Sequence, residues 1–180
     1  MKRNPVHCTL GLALWLLLGI PSAQALTYEE WSALVFTTEE LADPAISGPE
    51  ADADGDGRRN FLEFTLASAP KAAGTVRDTD AWLGGDGHLR MSYPRLKNHA
   101  GLLYAPMVTN DLKGGWYAGP EVIEQLGVSD RDAATDSVTV RDLFGTQVTS
   151  RRFMRLFVAV DSDNDGLPDD WEMLLFGNLD

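Results

Sequence analysis

The chain has 180 residues, with 27 acidic against 15 basic side chains, for a formal charge of −12 at pH 7. A balance this negative excludes nucleic acid and anionic membrane surfaces as electrostatic partners. The single cysteine, Cys8, excludes an internal disulfide framework.

The first residues combine a basic start (Met1-Lys-Arg3), an apolar run from Leu10 to Ile20, and the small-residue site Pro21-Ser-Ala-Gln-Ala25. That order predicts a signal peptide over 1–25, and hence a bacterial protein exported to the cell surface or beyond. The apolar run is short for a membrane span, so no transmembrane segment is expected after cleavage. Cys8 would leave with the signal. The mature chain from Leu26 then has no thiolate to serve as nucleophile or ligand, and core packing and metal must hold it together.

Residues 26–70 read as short helices around a first acidic loop. Thr27-Tyr-Glu-Glu30 has capping-box spacing, and Trp31, Leu34 and Val35 follow at helical spacing, predicting a helix over about 28–36. Thr37-Thr-Glu-Glu40 repeats the signal for a brief second turn, broken by Asp43-Pro44 and Gly48-Pro49. No long helix therefore enters the stretch Asp52-Ala-Asp-Gly-Asp-Gly-Arg-Arg-Asn-Phe-Leu-Glu63. This stretch fits the calcium-loop pattern at every specified position. Asp52, Asp54 and Asp56 stand at positions 1, 3 and 5, and Gly57 makes the sharp turn at 6. Arg58 at 7 would lend its backbone carbonyl, so that its side chain matters little. Asn60 at 9 would bind directly or through water, and Glu63 at 12 through two oxygens. An exit helix over about 60–68 should follow, sending Phe61 and Phe64 to the core and ending at Ala69-Pro70.

Over 71–160 the pattern changes to period two. Strands are expected at about 80–83, His88–Tyr93, Leu102–Thr109, Trp116–Ala118, Val138–Asp142 and Arg152–Val160, separated by glycine-bearing turns. Glu121 to Leu126 fits either a helical turn or an edge strand. The expected fold is α+β, mainly β: a small antiparallel β-sandwich flanked by short helices and two EF-hand-like calcium loops.

The second loop opens the final segment, 161–180, as Asp161-Ser-Asp-Asn-Asp-Gly-Leu-Pro-Asp-Asp-Trp-Glu172. Asp161, Asp163 and Asp165 repeat positions 1, 3 and 5. Leu167 offers the carbonyl, Asp169 is position 9 and Glu172 position 12. A helix over about 169–176 should leave it and close at Gly177. Two like charges about 4 Å apart repel by roughly 4 kcal/mol at an effective dielectric near 20. Carboxylates gathered this densely call for a divalent cation. The all-oxygen shell suits Ca2+, since Mg2+ wants a smaller octahedral shell and keeps its waters.

A calcium loop with an exit helix and no entering helix resembles dockerin repeats and thrombospondin type-3 repeats. The second loop is especially similar to the short Asp-rich repeats of bacterial surface proteins. The strict resemblance covers the two loops, and the longer run from Trp31 through Asp43-Pro-Ala-Ile-Ser-Gly-Pro49 to Glu63, followed by a β-module, is similar to modules of large secreted bacterial proteins. Together they imply a calcium-stabilised spacer or attachment module, with a protein or glycan partner at the cell surface. Dockerin loops lie close together, whereas these begin at residues 52 and 161, and thrombospondin repeats carry cysteines that the mature chain lacks. The alternative is a carbohydrate-binding sandwich presenting Trp82, Tyr93, Tyr104, Trp116 and Tyr117. Catalysis is not expected: His88 and His99 are the mature histidines, neither has catalytic spacing to a nucleophile, and His99 reads as a solvated residue in a polar turn.

Overall fold

The computed structural model describes residues 26–73, 79–99, 101–149 and 151–179; the expected signal peptide lies outside them. Two capping boxes start the helices. Thr27 accepts from the Glu30 N–H at 3.2 Å, and Glu30 accepts from the Thr27 N–H at 2.9 Å, opening α1 (Tyr28–Val35). Thr37 and Glu40 do the same for α2 (Thr38–Leu41). Asp43-Pro44 ends α2 as expected but also restarts the helix. The Asp43 carboxylate accepts from the Ala45 N–H at 2.9 Å, and Pro44, with no N–H to leave unpaired, opens the one-turn α3 (Pro44–Ser47). The helix leaving the first loop, α4 (Asn60–Leu66), is shorter than expected. Ala67 turns left-handed at φ 55° and returns its N–H to the carbonyls of Glu63 and Phe64.

The middle of the chain forms two antiparallel sheets. The strands are β1 (Asp80–Leu83), β2 (Leu89–Leu96), β3 (Leu102–Thr109), β4 (Ile123–Asp130), β5 (Thr135–Asp142) and β6 (Phe153–Val160). One sheet has the order β1-β2-β5-β4 and the other pairs β3 with β6. The ambiguous stretch after Glu121 is thus an edge strand, β4. The strand expected over Trp116–Ala118 reduces to a single bridge in which Tyr117 exchanges hydrogen bonds with Val108 at 2.8 and 2.9 Å. Pro94 lies beyond Ser92, the last β2 residue paired with β1, where β2 has one neighbour only; a sheet tolerates proline there.

Register decides the core. Met91 faces Val140 and Tyr93 faces Val138 across β2 and β5, while Val108 faces Met154 across β3 and β6. Met91, Tyr93, Val108, Val138, Val140 and Ile123 are buried together, and Tyr104, Met154 and Leu156 pack against them. Tyr93 stacks on Tyr104 from the other sheet, with ring centres 6.3 Å apart. The Tyr104 hydroxyl donates to the Thr65 carbonyl of α4 at 2.7 Å and accepts from the Leu96 N–H of β2 at 3.3 Å. One phenol therefore joins a helix to both sheets. A second cluster, Tyr28, Trp31, Phe36, Phe61 and Phe64, packs α1 on α4. His99 belongs to this cluster. Its ring meets Phe64 edge-on at 5.4 Å and Nε2 bonds the Leu26 carbonyl at 2.7 Å, so it is not the solvated turn residue expected. The last helix, α5 (Asp169–Leu175), leaves the second loop and closes with Gly177 at φ 76°. No helix among the described residues is long and apolar enough to cross a membrane.

Tyr104→Phe keeps the ring stack but strips both hydrogen bonds from the hydroxyl. Urea denaturation should show a loss of about 1–2 kcal/mol with an unchanged slope.

Candidate metal centre

Each acidic loop winds its own backbone around its first aspartate. In the first, the Asp52 carboxylate accepts from the N–H groups of Gly55 at 2.8 Å, Asp56 at 3.2 Å and Gly57 at 2.8 Å. Asp54 accepts from the Asp56 N–H at 3.2 Å, and Asp56 from the Arg58 N–H at 2.9 Å. In the second, Asp161 accepts from the N–H groups of Asp165 and Gly166, both at 3.1 Å. Asp163 then serves Asp165 at 3.4 Å, and Asp165 serves Leu167 at 2.8 Å. The same path needs a left-handed residue three beyond each first aspartate. Gly55 supplies it at φ 75° and Asn164, a side chain that tolerates the region, at φ 61°.

The winding gathers the carboxylates. Asp52, Asp54 and Asp56 each present an oxygen, and these oxygens lie within 4.8 Å of one another; Asp161, Asp163 and Asp165 do likewise. The glutamates at position 12 lie outside these trios in sequence but are carried in by the exit helices. Glu63 is 1 % exposed and Glu172 2 %. Each has one buried carboxylate oxygen, Oε2, with no hydrogen-bond partner, as has Asp54 at Oδ2. Burial, then the charges of Asp54 and Asp56, push the Glu63 carboxyl up to about 7, with Arg58 pulling the other way. Glu172 is raised for the same reasons, burial first and then Asp165, Asp163, Asp169 and Asp161. Orphaned buried oxygens beside clustered carboxylates are what an oxygen-liganded divalent cation would complete, so the residues present fit such an ion.

The remaining expected ligands are placed less simply. Asn60 is fully buried, and its amide nitrogen donates to the carbonyls of Ile46 at 2.8 Å and Gly48 at 2.9 Å, tying α3 to the start of α4. Asp169 accepts from the Ser162 N–H at 2.7 Å and the Ser162 hydroxyl at 2.5 Å. Arg58 and Leu167 are fixed through their own N–H groups, as above. The sequence reading gave the Arg58 side chain no role, yet its guanidinium lies on Asp56, with Nη2 2.8 Å and Nε 3.1 Å from Oδ2. An arginine one residue past the invariant glycine was the only sequence signal for that contact.

The two loops, far apart in sequence, border one cleft of about 660 Å³. Arg59 and Phe61 line it from the first loop, Asp169, Asp170 and Met173 from the second, with residues 157–160 of β6 between. The candidate glycan platform is divided. Tyr93 and Tyr104 are spent on the stack between the sheets, and Trp116 lies under the Arg155 guanidinium at 4.3 Å, leaving Trp82 and Tyr117 exposed. His88 bonds the Asp142 carbonyl through Nδ1 at 2.8 Å. No family model matches the chain, and neither a curated protein nor a solved structure matches it significantly.

Because the folded, ion-free chain holds the Glu63 proton more tightly than the unfolded chain does, this group favours the fold at low pH. That contribution is complete below about 4.5 and is lost as pH rises towards about 7. In chelator, the melting temperature should therefore fall across that window, and Glu63→Gln should flatten the fall. A wild-type profile that rises instead would rule out the buried, charge-crowded carboxyl.

Proposed function

We propose that the chain is a calcium-binding structural or attachment module of an exported protein, in which Ca2+ orders two Asp-rich loops. One observation carries the reading: twice over, a trio of aspartates converges beside a buried glutamate oxygen that has no partner. Asp52, Asp54, Asp56 and Glu63 would hold one ion, and Asp161, Asp163, Asp165 and Glu172 the other, with the carbonyls of Arg58 and Leu167 completing each shell. Asn60 would contribute its Oδ1, which is buried without a hydrogen-bond partner, directly or through water, and Asp169 would add a carboxylate at the same position of the second loop. Ca2+ is favoured over Mg2+ because carboxylates from four residues make a crowded, adaptable shell.

The role follows from what each loop is attached to. The first launches α4, which is docked on the aromatic cluster and on Tyr104. The second begins directly after β6 and launches α5. An ion in either loop would fix the angle at which a helix leaves the β-core, which suits a rigid spacer. The resemblance of the two loops to dockerin and thrombospondin type-3 repeats rests on their sequence pattern and stays part of the proposal. A protein or glycan partner at the cell surface accords with that resemblance and with the proposed signal peptide.

Calcium titration should raise the melting temperature and chelator should reverse the rise. At a free concentration one hundred times Kd the gain is about 2.7 kcal/mol per site. Calorimetry should count two ions. Asp52→Ala or Glu63→Gln should remove one, and Asp161→Ala or Glu172→Gln the other. A purified chain that takes up no calcium and melts identically with an excess of it would end the proposal.

A further inference from the structure

The two loops make an internal comparison. Both carry the aspartate trio, the same backbone winding and a buried glutamate, but position 7 is Arg58 in the first and Leu167 in the second. The arginine is turned inward rather than left to solvent. Its guanidinium reaches Asp56 Oδ2 through both Nη2 and Nε, while its backbone N–H takes Oδ1. The Arg58 side chain is 23 % exposed and that of Asp56 9 %, so water and salt screen this pair less than an open surface pair. A guanidinium stays charged at every relevant pH, so its contribution cannot be titrated away.

We infer that Arg58 is a built-in counter-ion that sets the affinity of the first metal site, holding Asp56 while the loop is empty and opposing the cation that replaces it. This rests on the calcium reading of the loops. In the ion-free chain the arginine offsets part of the repulsion within the trio and keeps the loop close to its bound shape. An entering divalent cation must then displace the guanidinium from Asp56 or bind beside a like charge, and either lowers affinity. The second loop has no such charge at position 7, and Asp169 adds a further negative one, so both differences make it the tighter site. Because those differences act together, the ranking of the two wild-type sites is not diagnostic, and the arginine must be tested within one loop.

The test is calorimetric titration of the full chain with calcium chloride, in a Glu172→Gln background that silences the second loop. Arg58→Leu, which copies the second loop, should tighten the first site about tenfold and lower the melting temperature measured in chelator. Arg58→Gln, which keeps length and a hydrogen-bond donor, should tighten it in the same direction and guards against a folding defect in the leucine variant. Conversely, Leu167→Arg in a Glu63→Gln background should weaken the second site about tenfold. Calcium binding at both loops with affinity unchanged or weakened in Arg58→Leu and Arg58→Gln would overturn the counter-ion role and leave the calcium sites standing. No binding to the wild-type chain at all would overturn both.

Discussion

Two buried glutamates in this protein sit against clusters of more exposed aspartates. Glu63 and Glu172 are both nearly inaccessible, and aspartate charges add to the cost of burying each: Asp54 and Asp56 for the first, Asp161, Asp163, Asp165 and Asp169 for the second. Every neighbouring element takes its position from that arrangement. The helix α4 begins inside the first loop, α5 begins inside the second, and β6 runs into Asp161 without an intervening residue. The guanidinium on Asp56 offsets part of this charge in the first loop, and a divalent cation in each loop, as proposed, would offset the rest.

The first loop is the more deeply built in. Asn60 ties it to α3, Phe61 and Phe64 send it into the aromatic cluster, and Thr65 connects it to Tyr104 and so to both sheets. The second is attached more lightly. Asn164 accepts from the Gly101 N–H at 3.0 Å, and the Asp161 N–H returns to the Gly101 carbonyl at 3.1 Å, anchoring it to the start of β3. Its exit helix leaves Met173, Leu174 and Phe176 more than half exposed. Ordering the first loop thus braces the whole domain, whereas ordering the second chiefly orients one helix.

Features set by contacts three or four residues apart were legible in the sequence. Both capping boxes and the loop winding depend on side chains reaching nearby N–H groups, and the closure at Gly177 on a residue free to turn left-handed, whereas the closure at Ala67 was not foreseen. The strand Leu102–Thr109 was legible because both of its flanks carry turn residues. What escaped was non-local. Trp116–Ala118 has strand-like residues but meets only Val108, and His99 looks polar until Phe64 arrives from 35 positions earlier in the sequence. Asn60 and Arg58 were read only in part. The loop pattern gives Asn60 a direct or water-mediated contact and Arg58 its carbonyl, and only the folded neighbours reveal what else their side chains do.

Tyr104 has a consequence of its own. Burial pushes its phenol up to about 12, so its hydroxyl keeps its proton in acid and at neutral pH and can donate to Thr65 there. The joint between α4 and the sheets is therefore indifferent to acidity, while the carboxylates proposed to bind calcium at the start of α4 are not. In the proposed calcium-bound chain, mild acid would loosen the grip on the ion while this joint still holds α4 to the sheets.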